Sequence, residues 1–189
     1  YAKSLFENPV EVDIVPIKHI NTDYAEYRPK LNAEENIMYF TSKRPGGSSD
    51  ILDDQGEYYE DIYVSKKKMG VWTEPQLVND LINTTESSSC LYLSPDGEHM
   101  FLSMVNNDQK LGHLGRGIYE ARLDGNHWNN PEFLDQKVNS KYWETYASLD
   151  IYGNVLFFVS DREGGYGGRD IWMIKKLPSG EWAEPQNLG

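Results

Sequence analysis

The run Gly164-Gly165-Tyr166-Gly167-Gly168 is the first place where this sequence could do chemistry, because consecutive glycines can bare backbone N–H groups to a phosphate. A phosphate cradle also needs a strand-to-helix transition and usually a Lys. This run joins two strand-like segments, so it reads as a turn. The acidic residues Asp50, Asp53, Asp54, Glu57, Glu60 and Asp61 could offer oxygen ligands to calcium. Their spacing lacks the acid or Asn at the third position, and the Gly at the sixth, of an EF-hand loop. His19, His99, His113 and His127 are scattered, with no pair at metal-ligand spacing. No Gly-x-Ser-x-Gly elbow is present. The single Cys90 excludes an internal disulfide and a Cys-based zinc site. A pair of carboxylates for glycoside cleavage would be expected to show as an acid embedded in an apolar strand. None of the segments below contains one. The residues therefore point away from catalysis, and no cofactor or metal is expected.

The elements that carry these residues recur. Tyr39-Phe40-Thr41-Ser42, Phe101-Leu102-Ser103-Met104 and Phe157-Phe158-Val159-Ser160 each lead into a polar, Gly-bearing loop. Asp61-Ile62-Tyr63, Gly117-Ile118-Tyr119 and Asp170-Ile171-Trp172 follow, and then Trp72 with Pro75, Trp128 with Pro131 and Trp182 with Pro185. The Trp-to-Trp intervals are 56 and 54 residues. Repetition of several short strands over about 50 residues is the mark of a propeller or solenoid. The expected fold is all-β: part of a β-propeller with three four-stranded antiparallel blades at 24–80, 86–136 and 144–188, plus an N-terminal outer strand at 10–20. Residues 1–9 read as the end of a preceding helical region or a linker, closed by Pro9. A propeller typically needs 4 to 8 blades, so 10–189 reads as a partial ring within a longer protein. Two roles are open to the outer strand: finishing a preceding blade, or closing the ring, which is preferred.

In the first repeat the four strands fall at 26–31, 37–42, 61–66 and 71–78. The second strand is apolar on both faces, as expected of a strand sandwiched between neighbours. The fourth mixes Trp, Glu, Pro and Gln and suits the rim. Ser94-Pro95-Asp96-Gly97 and Asp124-Gly125-Asn126 are tight-turn signals. The loops between second and third strands vary, with 18, 12 and 9 residues in the three repeats. Function in a repeat protein concentrates where a constant scaffold carries variable loops. The expected partner-binding residues are therefore Arg44, Asp50, Asp53, Asp54, Glu57, Asp108, Lys110, His113, Arg162 and Tyr166. The formal net charge of −12 argues against nucleic acid. No apolar run is long enough to span a bilayer as a helix.

Ser94-Pro95-Asp96-Gly97-Glu98-His99-Met100-Phe101-Leu102-Ser103, and Ser160-Asp161-Arg162-Glu163-Gly164-Gly165 followed by Asp170-Ile171-Trp172, resemble the TolB-type, WD40-like propeller repeat. With the Trp-x-x-Pro units and the Ile-Asn-Thr junctions, residues 10–189 are similar to one subfamily of such propellers. In it the propeller lies between a tetratricopeptide-type helical region and an OmpA-like, peptidoglycan-binding domain. That resemblance implies a periplasmic, outer-membrane-associated protein that binds subunits of an envelope complex. It also implies anchoring of type IX secretion machinery to peptidoglycan through a domain outside this chain. Two departures are visible: Asn32-Ala33-Glu34-Glu35-Asn36 replaces the Ser-Pro-Asp-Gly turn in repeat one, and Gly117 stands where Asp61 and Asp170 stand. The alternatives are the propeller of a glycan- or peptide-cleaving enzyme, or a glycan-sensing propeller.

Overall fold

The turns that the sequence marks are held by one side chain each. Asn32, Ser94 and Asp150 occupy the same place in the three repeats. Asn32 Oδ1 accepts the amides of Asn36 (3.1 Å) and Ile37 (2.9 Å), and Asp150 Oδ1 accepts those of Asn154 (2.7 Å) and Val155 (2.9 Å). Ser94 Oγ accepts the amide of His99 (2.9 Å). The departure from Ser-Pro-Asp-Gly in repeat one is therefore harmless, since an Asn side chain imitates a backbone turn.

A computed structural model describes residues 7–106 and 115–189. Three antiparallel sheets follow one another. The first contains β1 (Glu26–Leu31), β2 (Ile37–Ser42), β3 (Asp61–Lys68), β4 (Val71–Trp72) and β5 (Gln76–Leu77). The second contains β6 (Ser88–Leu93), β7 (His99–Asn106), β8 (Gly115–Asp124), β9 (His127–Trp128) and β10 (Glu132–Phe133). The third contains β11 (Glu144–Leu149), β12 (Val155–Ser160), β13 (Asp170–Lys175) and β14 (Gln186–Asn187). The outer strand of the first two sheets is split, because Pro75 and Pro131 interrupt pairing between its two short halves. In the third sheet a Lys176–Trp182 bridge takes the place of the first half.

Each inner strand carries a bulge, between Tyr27 and Lys30, Cys90 and Tyr92, and Thr145 and Ser148. Two of the bulges force a non-Gly residue into the left-handed region: Arg28 at φ 53° and Tyr146 at φ 52°. The inner strand β6 adjoins β1 on one side and β11 on the other. Arg28 reaches across from the first blade to lie 4.9 Å from the ring centre of Tyr146 in the third. Convergence of successive inner edges is radial packing, and the chain is part of a β-propeller.

The blades are joined by shared cores. Tyr39, Ile62, Val78 and Ile82 of the first blade pack with Cys90, Met100, Leu102 and Trp128 of the second. Phe101, Ile118, Leu134 and Val138 of the second pack with Leu156, Phe158, Trp172 and Ile174 of the third. Burial within the first of these cores pushes the Cys90 thiol up to about 12, leaving it inert. Between blades an Asn side chain replaces a strand. Asn83 Oδ1 accepts the Ile62 amide (2.7 Å), and its Nδ2 donates to the carbonyls of Ile62 (2.8 Å) and Val78 (3.0 Å). Asn139 repeats this on Ile118 and Leu134.

The outer strand expected at 10–20 is not formed. Residues 9–17 pair with no strand, and Val10, Val12, Ile14 and Val15 are exposed. The outer place in each of these three blades is taken by the blade's own strand, and the partner expected for 10–20 was a different blade. The junction turn is nonetheless in place, with the Ile20 and Asn21 amides donating to the Ile17 carbonyl (2.9 and 3.0 Å), as Ile82 and Asn83 do to Asn79. Asn21 Oδ1 accepts the amide of Ile17 (2.8 Å) instead of a blade strand. Of the expected helix end at 1–9, residues 1–6 lie outside the described residues.

Trp128 is 3% exposed and meets Tyr39 edge-on across the blade boundary, with ring centres 5.6 Å apart. Trp128→Ala should therefore cost about 3 kcal/mol in a urea titration. The same change at the half-buried Trp182 should cost distinctly less. Equal losses would show that the blade boundary adds nothing to the Trp position.

Candidate functional site

The loops joining second and third strands in the first and third blades are each rooted by an Asp. Asp61, at the start of β3, accepts the Ser48 amide (2.9 Å) and hydroxyl (2.6 Å). Asp170, at the start of β13, accepts the amides of Tyr166 (2.9 Å) and Gly167 (3.1 Å). The preceding Gly is obligatory. A Cβ on Gly47 would lie 1.9 Å from Asp61 Oδ2, and one on Gly165 would lie 2.1 Å from Asp170 Oδ2. The second blade, with Gly117 in place of the Asp, uses that position differently. Its absent side chain makes room for the Phe133 ring, 2.5 Å from where a Cβ would be.

Below these roots lies a buried knot that occurs in the first and third blades. Glu26 receives the Thr22 amide (3.0 Å) and hydroxyl (2.6 Å), the Ser42 hydroxyl (3.0 Å) and Arg44 (3.3 Å). Glu144 receives the Ser140 amide (3.1 Å) and hydroxyl (2.5 Å), the Ser160 hydroxyl (2.9 Å) and Arg162 (3.1 Å). Each guanidinium also donates to the preceding junction, Arg44 to the Ile20 carbonyl (2.7 Å) and Arg162 to the Val138 carbonyl (2.6 Å). Arg44 lies over Phe40 and Tyr63, and Arg162 over Phe158 and Trp172. These two arginines, expected to meet a partner, are committed to tying blade, junction and loop together. The sequence signal was present: Ser-x-Arg-x-Gly-Gly occurs at 42–47 and 160–165, each 16 residues after a Glu. In the second blade Ser88 and Met104 replace the Glu and Ser, and the buried Ser88 hydroxyl has no partner.

The other expected residues are divided. Asp53 Oδ1 accepts the Gln55 (2.9 Å) and Glu57 (3.0 Å) amides, closing a small hairpin with a Leu52–Tyr58 bridge. Lys43 pairs with both Asp53 (3.5 Å) and Glu57 (2.5 Å), so this hairpin folds onto the end of β2. Those backbone amides are the main reason that the Asp53 carboxyl is held below its usual range. Asp50 and Asp54 are exposed on the hairpin beside exposed Ile51 and Leu52, and Tyr166 is exposed at the tip of its loop. Asp108, Lys110 and His113 lie outside the described residues. Among the described residues no three His, Cys, Asp or Glu side chains converge as metal ligands.

Sequence reasoning missed the inner mouth. Arg28, Glu60, Ser103, Arg116, Trp143, Glu144 and Thr145, drawn from all three blades, line a cleft of about 200 Å³. Arg116 clamps one Glu60 oxygen with both terminal nitrogens, and the Tyr27 hydroxyl donates to the other. Burial, with the Glu60 hydrogen bond second, pushes the Tyr27 phenol well above its ordinary value. Arg28 donates to the Ser89 hydroxyl of the second blade and lies between the rings of Tyr27 and Tyr146. Glu144 repeats Glu26, but nothing in the periodicity marks Arg28, Glu60 or Trp143, which come from a bulge and from loop ends.

No family model and no curated protein matches the chain. A solved structure from Agrobacterium tumefaciens assigned as a TolB is similar at 12% identity and a TM-score of 0.47. The similarity covers 89% of this chain, which spans 63% of that structure's length.

The two knots make opposite predictions for neighbouring blades. The Glu144 side chain is fully buried and that of Arg162 is 10% exposed. Glu144→Ala should therefore cost about 3–5 kcal/mol, the loss expected when a buried pair loses one partner. Ser88→Ala should be neutral or stabilising by about 1 kcal/mol, because it removes an unpaired buried hydroxyl. Chemical denaturation of both variants checks this, and a larger loss at Ser88 would overturn it. Burial pushes the Asp61 carboxyl up, against the Ser48 hydrogen bonds that pull it down. Its contribution to stability is therefore complete below the ordinary Asp value of about 3.9 and declines as pH rises through the raised value. Asp61→Asn should flatten that part of the stability–pH curve; an unchanged slope would assign it to other groups.

Proposed function

We propose that this chain is the propeller of a non-catalytic protein-interaction scaffold that works in the periplasm at the outer membrane. It binds subunits of an envelope complex through the face that carries the loops between second and third strands. The observation that carries this reading is the hairpin at 52–58. Its root is fixed by Asp61, Lys43 and Asp53, yet its edge presents Ile51 and Leu52 at 54% and 49% exposure, flanked by Asp50 and Asp54. A small apolar edge rimmed by acids on a rigid root suits a protein partner with an apolar contact and basic surroundings. The wider role, anchoring secretion machinery to peptidoglycan through an OmpA-like domain, rests on the sequence resemblance.

A cleaving enzyme is less well supported at the inner mouth. Glu60 and Glu144 both line it, but each already accepts hydrogen bonds on both carboxylate oxygens. Acid–base catalysis requires a carboxyl within reach of the bond to be cleaved and able to exchange a proton.

The test is to remove the hairpin while keeping the Ser48–Asp61 contact at its base. Ser48 must stay, because it binds both Asp61 and the Thr84 carbonyl. Replacing residues 50–58 by a short Gly/Ser turn should abolish partner recovery from solubilised envelopes. Thermal stability should stay nearly unchanged, since halving a surface loop alters closure entropy by only about 0.6 kcal/mol. Undiminished recovery would place the partner elsewhere.

A further inference from the structure

The left-handed backbone of the inner-strand bulge occurs at both Arg28 (φ 53°) and Tyr146 (φ 52°), so it belongs to the way this strand is built. What is particular to the first blade is the side chain that the bulge presents, a guanidinium at the inner mouth. Arg28 lies 5.6 Å from the Tyr27 ring centre and 4.9 Å from that of Tyr146, with one nitrogen on Ser89.

The charges around it do not balance. Arg116 is neutralised by Glu60, and Glu144 by Arg162. Among the described residues no carboxylate lies within ion-pair distance of Arg28, although acids outnumber bases by 12 in the chain. Its remaining N–H donors keep the planar fork that suits an oxyanion. The cleft beside it, about 200 Å³, is open and is walled by Trp143 and Thr145. That volume suits one or two side chains of an extended segment, and the neighbouring rings suit an apolar residue next to the anion.

We propose that Arg28 anchors a carboxylate-binding site at the inner mouth of the propeller, which takes the carboxylate of an inserted peptide segment. A carboxylate fits better than a phosphate. Of the two guanidiniums that line the cleft, that of Arg28 alone has no carboxylate partner among the described residues; Arg169, also without one, lies 3.8 Å from the ring centre of Trp143. A dianion would meet greater repulsion from the net charge of −12. The carboxylate could be a chain terminus or an acidic side chain. The site is separate from the 52–58 hairpin, so it stands or falls independently of the partner surface proposed above.

The probes are three N-acetylated tripeptides: Ala-Ala-Phe with a free carboxyl terminus, the same peptide amidated, and amidated Ala-Asp-Phe. Inorganic phosphate is a fourth. Titration calorimetry on the wild-type chain should show binding of at least one carboxylate-bearing peptide, at least tenfold tighter than the fully amidated one. The preferred peptide identifies the source of the carboxylate. Arg28→Asn removes the guanidinium while keeping a side chain that tolerates the left-handed backbone. It should abolish the tenfold preference while shifting the melting temperature by no more than about 4 °C, roughly 1 kcal/mol for a chain of this size. The 50–58 replacement should leave the preference intact. Equal binding of amidated and free peptides, a preference retained in Arg28→Asn, or phosphate binding as tightly as the better peptide would each overturn the proposal.

Discussion

A sheet whose central strand is apolar on both faces cannot stand alone, and this constraint governs the molecule. The effect of a neighbour can be read by comparing equivalent residues. Ile62 and Ile118, each facing a following blade, are fully buried, whereas Ile171 at the same place in the third blade is 52% exposed. Val78 and Leu134 are buried at 6% and 5%, and Leu188 is 49% exposed. Each such burial is worth about 1.5–3 kcal/mol. Phe40, Leu102 and Phe158 stand at the same place in the three second strands and are all buried, so every blade contributes an apolar anchor there. Stability is then largely a sum of boundaries, as in other repeat architectures.

Apolar stacking brings blades together without fixing their register, and polar side chains do that. Asn83 and Asn139 each fill three hydrogen bonds that a further strand would otherwise supply. The buried Glu–Ser–Arg knots add a second constraint, because the guanidinium reaches both the strand pair and the junction before it. Replacement of that knot by Ser88 and Met104 shows that it is optional for forming a blade. Its presence accompanies a Gly-Gly loop rooted on an Asp, at Gly46-Gly47 with Asp61 and at Gly164-Gly165 with Asp170. The knot and the root together hold the loop start, which lets the distal part of the loop vary.

Much of this architecture was legible in sequence. The first blade's inner strands at 26–31 and 37–42 form at those bounds, because alternation and turn chemistry act locally. Residues 71–78 were legible only in part, since Pro75 splits that strand in two. At 10–20 the composition and junction Asn are those of an outer strand, but a strand forms only against a partner, and the outer place in these three blades is filled by each blade's own strand. Arg44, Arg162, Asp53 and Glu57 were read as surface charges because each sits in a polar loop. Their partners, Glu26, Glu144 and Lys43, are 10 to 18 residues away in sequence and adjacent only once the hairpins close. The bulges were invisible for a related reason. A left-handed Arg or Tyr has no sequence signature, whereas a Gly there would have had one.

The inner mouth therefore holds features that repetition did not announce, and that is informative in itself. In a repeat protein, residues that serve packing tend to recur: the apolar anchors of the second strands, the junction Asn, the Asp roots. Arg28, Glu60 and Trp143 do not recur at equivalent positions, yet they converge on one cleft. Convergence without recurrence is poorly explained by the demands of stacking. The left-handed bulge itself recurs at Tyr146; what the first blade adds is the guanidinium that the bulge carries, and that addition has no counterpart in stacking.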